Sequence, residues 1–174
     1  MHKLGETRSA NRRDHLLLTP DTFVRTLIPA VEGGVVVVHV SPAVGAGFTQ
    51  YTVELEAGGA LNAAVATRFL YVLSGTVDVA AETGFHTLGP GGYAYAPPGL
   101  DCRVVARKES RLAVIEKPYE PLAGVNAPHL LVGDESKISP APLNGDEDLQ
   151  VRSLLPDHPA FDFAVNTMSY EPGA

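Results

Sequence analysis

Between Gly33 and Lys117 the chain is a succession of short runs of β-branched and aromatic residues, each closed by glycine or proline. The runs read GGVVVVHV (33–40), QYTVELE (50–56), RFLYVLSG (68–75), TVDVAAE (76–82), GFHTLGPGG (84–92), YAYAPPG (93–99), CRVVA (102–106) and RLAVIEK (111–117). Seven or eight strands at this spacing predict an all-β sandwich or barrel. Helical periodicity is nearly absent. Gly75, Gly84 and the pair Gly91-Gly92 fall where strands must reverse, positions that favour a residue without a Cβ. The 17 glycines and 14 prolines among 174 residues fit a chain made of turns and strands rather than long helices.

Charge narrows the partners. A formal net charge of -7 leaves no basic field to attract phosphate backbones, so nucleic acid and anionic membranes are excluded as expected partners. No stretch approaches the length of a membrane span, and the start, MHKLGETRSANRRDH, carries positive charge with no apolar segment after it. The single cysteine, Cys102, rules out an internal disulfide framework and suits a reducing compartment. A cytoplasmic location is the expectation.

After Lys117 the texture changes to PYEPLAGVNAPHLLVGDESKISPAPLNGDED, which is rich in proline and turn residues and reads as a long connection laid over the surface. Strand-like runs resume in LQVRSLL (149–155) and FDFAVNTMSY (161–170). Shifted by 115 positions, Asp162–Ala174 lies on Gly47–Gly59, with Phe163/Phe48, Thr167/Thr52, Glu171/Glu56 and Gly173/Gly58 coinciding. The expected organisation is a barrel over 1–118, a connection over 119–148, and over 149–174 the first strands of a second barrel that is cut short.

The glycine and proline spacings resemble the two signature motifs of the cupin superfamily, G-x5-H-x-H-x3,4-E-x6-G and G-x5-P-x-G-x2-H-x3-N. Gly91, Pro97 and Gly99 fall in the frame of the second motif, but Cys102 holds its histidine slot and Ala106 its asparagine slot. In the first motif, counting back from Gly75 puts Arg68 in the glutamate slot, Ala63 or Ala64 in the second histidine slot, and Leu61 or Asn62 in the first. A divalent metal needs three or four converging lone-pair donors, and ALNAAVATR supplies no imidazole or carboxylate. The fixed positive charge of Arg68 would repel a cation at the same place. This barrel is therefore expected to hold no catalytic metal.

Other chemistry-bearing residues are few. His2, His15, His39, His86, His129 and His158 are scattered without the spacing that sets two imidazoles on one face, and read as surface or structural histidines. Cys102 reads as buried and inert, since Arg103 should point to the opposite strand face. Along RFLYVLSG, Arg68, Leu70 and Val72 share one face while Phe69, Tyr71 and Leu73 share the other, so Arg68 is directed into the barrel mouth. There it could clamp a carboxylate ligand, or pair with an acid such as Asp101 or Glu116. Tyr71, Tyr93 and Tyr95 read as packing of the barrel wall.

Four stretches, NRRDHLLLTPDTFVRTLIPA, FLYVLSGTVDV, GGYAYAPPG and FDFAVNTMSYEPGA, resemble the (S)-ureidoglycine aminohydrolases of allantoin breakdown, formerly grouped with glyoxylate-induced proteins. The resemblance implies a double-stranded β-barrel cupin in a two-barrel protein, a small-molecule substrate, a homo-oligomer, and hydrolysis of (S)-ureidoglycine to (S)-ureidoglycolate and ammonia. It also implies manganese, held in the C-terminal barrel by a Glu-x-His-x3-His string and a glutamine. Those positions would lie beyond Ala174, so the resemblance assigns no catalytic or metal-binding residue in the chain. The alternative is a non-catalytic cupin serving oligomerisation or small-ligand binding.

Overall fold

The computed structural model describes residues 7–12, 14–81 and 84–173; His2 and Ala174 lie outside them. In the N-terminal arm, β1 (Ala10–Asn11) and β2 (Leu16–Leu17) form a small ribbon, and β3 (Arg25–Thr26) pairs with the edge of β4 (Val31–Val40). The succession continues with β5 (Thr49–Leu61), β6 (Thr67–Ser74), β7 (Val77–Ala81) and β8 (Gly84–Leu88). Then come β9 (Gly92–Ala96), β10 (Arg103–Ala106) and β11 (Ser110–Lys117). Beyond these lie β12 (Leu131–Asp134), β13 (Ala141–Leu143), β14 (Asp146–Ser153) and β15 (Asn166–Tyr170). Among the described residues helical turns are confined to short 3-10 segments at 20–22, 42–44 and 135–137, and no helix is long and apolar enough to cross a membrane.

One antiparallel sheet runs in the order β12-β9-β6-β11-β5-β10-β7-β8, with β4 also on β5, and curls into a nearly closed barrel. The long β5 makes the curl. Its first half pairs with β11, its last two residues pair with β10, and β4 accompanies it through both halves. The two strands bend together. β4 shifts register between Glu32 and Gly34 with Gly33 at φ +60°, and a Cβ on Gly59 would press on the Glu32 and Glu56 carbonyls at 3.0 Å. Neither strand carries a side chain at the point of closest approach, which is what lets the sheet fold over.

Alternation along the strands fills the interior. Tyr51, Val53 and Leu55 of β5, Leu70 and Val72 of β6, Val77 and Val79 of β7, Val104 of β10, and Leu112 and Val114 of β11 form one buried cluster with Cys102. The all-β barrel expected from the runs, and the cupin barrel that the motif resemblance implies, is the fold observed.

A second cluster sits on the other side of the wall. Phe69, Tyr93 and Tyr95, on the outer faces of β6 and β9, are covered by Leu154, Leu155, Phe161 and Phe163. The stretch 119–148, read as a connection, contains β12, which adds to the edge of β9. The run 161–170, read as one strand, becomes strand only from Asn166, because Phe161 and Phe163 turn their rings onto Tyr95 instead. β13, β14 and β15 form a separate three-stranded sheet. The offset of 115 places Thr52 on β5 and Thr167 on β15, and sets both Gly58 and Gly173 at positive φ.

Candidate functional site

Arg68 is the second residue of β6, points inward with Leu70 and Val72, and is 2% exposed. Directly opposite it on β11 is Glu116. The guanidinium Nε donates to Glu116 Oε1 at 2.8 Å and Nη2 lies 2.6 Å from the same oxygen, while Nη1 donates to the Asn62 carbonyl at 2.5 Å. Tyr51, inward on β5, adds a third contact by donating its hydroxyl to Glu116 Oε1 at 2.8 Å. Of the two acids weighed as partners for Arg68, Glu116 is the one it meets. Burial drives the Tyr51 hydroxyl far above its ordinary pKa.

The remaining motif slots surround this pair without adding donors to it. Leu61 and Ala106 are buried in the apolar interior, Ala63 is exposed, and Ala64 is half-buried. Asn62 sits at the rim, where its side chain bonds Glu32 and Arg103 while its carbonyl receives Arg68. Cys102 is 2% exposed, and burial raises its thiol pKa while the Arg68 cation opposes that rise. Arg103 faces outward onto Glu32 at 3.0 Å, on the opposite strand face from Cys102.

Among the described residues no three His, Cys, Asp or Glu side chains converge on one point. At the barrel mouth the Glu116 carboxylate is already neutralised by the Arg68 guanidinium, so a divalent cation there would meet a neutral ion pair whose one carboxylate is in use. The arrangement closes the barrel with an internal ion pair. The described histidines stand apart: His15 on Asp14, His39 on Thr52, His158 against the Ala160 amide, and His86 and His129 each alone in sequence.

The outer-face tyrosines are also committed. Tyr71 donates its hydroxyl to Glu135 Oε2, and the other oxygen of Glu135 accepts from Thr167 at 2.7 Å. Burial and the adjacent carboxylate push Tyr71 up to about 12, and the two hydrogen bonds, Thr167 first, hold the Glu135 carboxyl below its ordinary value. Tyr93 stacks on Phe69 at 5.8 Å, and Tyr95 lies 5.0 Å from Phe161 and 6.1 Å from Phe163. Sequence reasoning did not find Tyr51 or Glu135. The alternation Tyr51, Val53, Leu55 could have turned Tyr51 inward, whereas nothing near Glu135 signals a partner 64 residues earlier. A broad open groove elsewhere, on the outside of β4 and β5 and edged by Phe23, His39 and the Arg25–Glu54 pair at 2.6 Å, is separate from the barrel mouth.

Comparison with known proteins gives this architecture its relatives. The family model of the EutQ-like cupin domain matches residues 43–119. A protein of Oryza sativa subsp. japonica named "Probable (S)-ureidoglycine aminohydrolase" is 33% identical over 172 residues, covering 97% of this chain and 55% of the relative. The (S)-ureidoglycine aminohydrolase of Escherichia coli (strain K12) is 34% identical over 164 residues, 91% of this chain and 62% of the relative. The chain thus spans little more than half the length of the curated relatives it matches. Among solved structures, protein Ylba from E. coli superposes with a TM-score of 0.84 at 30% identity, over 98% of this chain and 70% of that one. In sequence and in fold alike, the chain belongs to the cupin family that contains Ylba and the (S)-ureidoglycine aminohydrolases.

Proposed function

We propose that this chain is part of an (S)-ureidoglycine aminohydrolase of allantoin and purine breakdown. The observation that carries the reading is the similarity to proteins of that name along 91–97% of its length. The reaction replaces the α-amino group of (S)-ureidoglycine by hydroxyl: a carbon–nitrogen bond breaks, a carbon–oxygen bond forms from water, and ammonia leaves with (S)-ureidoglycolate. In this reading residues 1–118 are the N-terminal barrel, 119–148 the connection and 149–174 the first strands of a C-terminal barrel. The protein is a cytoplasmic homo-oligomer acting on a small molecule.

Manganese is the proposed cofactor of the whole enzyme. The described residues do not fit it, because no three of their His, Cys, Asp or Glu side chains converge and Arg68 takes up the Glu116 carboxylate at the barrel mouth. No step of the reaction is therefore assigned to them. Their part is to fold, close the first barrel and present the face on which residues 138–165 pack.

The test is ammonia release by the entire protein containing this chain, supplied with (S)-ureidoglycine and manganese. Ammonia and (S)-ureidoglycolate formed in equal amounts is the expected result. A folded, manganese-loaded protein that releases no ammonia above the uncatalysed rate overturns the reading and leaves the non-catalytic cupin, an oligomerisation or ligand-binding module, in its place.

A further inference from the structure

The small sheet β13-β14-β15 repeats β3-β4-β5 pair by pair. Shifted back by 115 positions, the cross-strand partners Leu149/Tyr170, Val151/Met168 and Ser153/Asn166 fall on Gly34/Leu55, Val36/Val53 and Val38/Tyr51, and Ala141/Val151 falls on Thr26/Val36. A slip of one residue in either pairing would turn every side chain of a strand to the opposite face, so the shared register marks one module built twice.

The two copies have different surroundings. Between β14 and β15 the chain lays Leu154, Leu155, Phe161 and Phe163 on the outer wall made by Phe69, Tyr93 and Tyr95, and Leu154 and Leu155 are 2% and 5% exposed. The end of β4 and its connection to β5 carry Val38, Val40, Val44 and Phe48, the last coinciding with Phe163 in the repeat. These four belong to neither buried cluster, and Val38 and Val44 are 43% and 52% exposed. Single exposed apolar residues are ordinary, but a group of them where the repeat buries its own marks an interaction surface. The connection 41–48, SPAVGAGF, holds no charge, which suits an apolar wall as its seat.

We propose that Val38, Val40, Val44 and Phe48 form the docking surface for the outer wall of a second barrel, so that the two barrels cover each other reciprocally. The proposal rests on reading the chain as part of a longer, two-barrel enzyme. Here the second module covers the wall of the first barrel, and a two-fold operation relating the modules returns the first module to the wall of the second barrel; any other rotation leaves it bare. This chain covers 55% and 62% of its curated relatives, which leaves length in each for such a wall. The occupant is a strand face carrying aromatic side chains, as β6 and β9 carry Phe69, Tyr93 and Tyr95.

Thiol alkylation of a Val44→Cys variant of the entire protein containing this chain tests this, read by mass spectrometry on the peptide that includes position 44. The expected rate is on the order of a hundredfold slower in the folded entire protein than in urea, and close to the urea rate in the folded 174-residue chain. Three outcomes overturn the proposal: a rate in the folded entire protein within a few-fold of that in urea, equal protection in the 174-residue chain, or protection lost on dilution, which would make the occupant a second copy. Should the shorter chain not fold, the entire protein decides alone. Ammonia release plays no part in the readout, so a protein protected at position 44 but inactive on (S)-ureidoglycine keeps the docking surface and loses the enzymatic reading.

Discussion

Arg68 and Glu116 face each other across β6 and β11 inside the barrel mouth, and Glu116 Oε1 alone takes two guanidinium contacts and the Tyr51 hydroxyl. The pair is buried from the Arg68 side, whose side chain is 3% exposed, while the Glu116 side chain keeps 26% of its surface, so breaking it costs more where the guanidinium is left stranded than where the carboxylate is. The pair is therefore a fixture of the barrel, and altering it reads out on stability before it reads out on chemistry.

Replacing Arg68 by Ala strips Glu116 of its cation and frees the Asn62 carbonyl. The expected loss is roughly 1.5–3 kcal/mol of folding stability, below that of a fully buried pair because Glu116 keeps 26% of its side chain exposed, measured by urea unfolding at neutral pH. Arg68→Met combined with Glu116→Leu removes both charges and should recover most of that loss. Equal instability in the single and double variants would mean that packing, not charge pairing, is what Arg68 supplies.

Acid should loosen the attachment of β15. The hydrogen bonds from Thr167 and Tyr71 hold the Glu135 carboxyl below its ordinary value of 4.5, so its contribution is complete above that pH and is lost as pH falls through the lower folded value. Stability followed between about pH 3 and pH 7 should fall less steeply on the acid side in Glu135→Gln than in the unaltered protein. Identical acid limbs would remove Glu135 from the account.

Cys102 should be slow to react. It is buried and its thiol is shifted away from the reactive thiolate, so a disulfide reagent should modify the folded chain on the order of a hundredfold more slowly than the unfolded one. Rapid modification of the folded protein would show that the interior at Cys102 is open.

The barrel was legible in the sequence because its strands announce themselves locally, through β-branched runs and glycines such as Gly75 and Gly91 that adopt positive φ at the reversals. Alternation alone sent Arg68, Leu70 and Val72 to one side of β6 and Phe69 and Tyr71 to the other, as found. What covers Phe69 and Tyr71 was not legible. The covering residues come from 131–165, and a contact such as Tyr71 to Glu135 leaves no trace in the run of either residue. For the same reason β12 was missed: LVGD has no alternation of its own and becomes a strand by pairing with the edge that β9 presents. Tyr51 was passed over because a tyrosine within an apolar strand looks like packing until its hydroxyl has a named acceptor.

Calorimetric titration of manganese into the 174-residue chain tests the central claim most directly. With Arg68 holding Glu116 and no cluster of donors among the described residues, the account predicts no saturable binding. One equivalent bound per chain, lost in Glu116→Gln or Cys102→Ala, would contradict it.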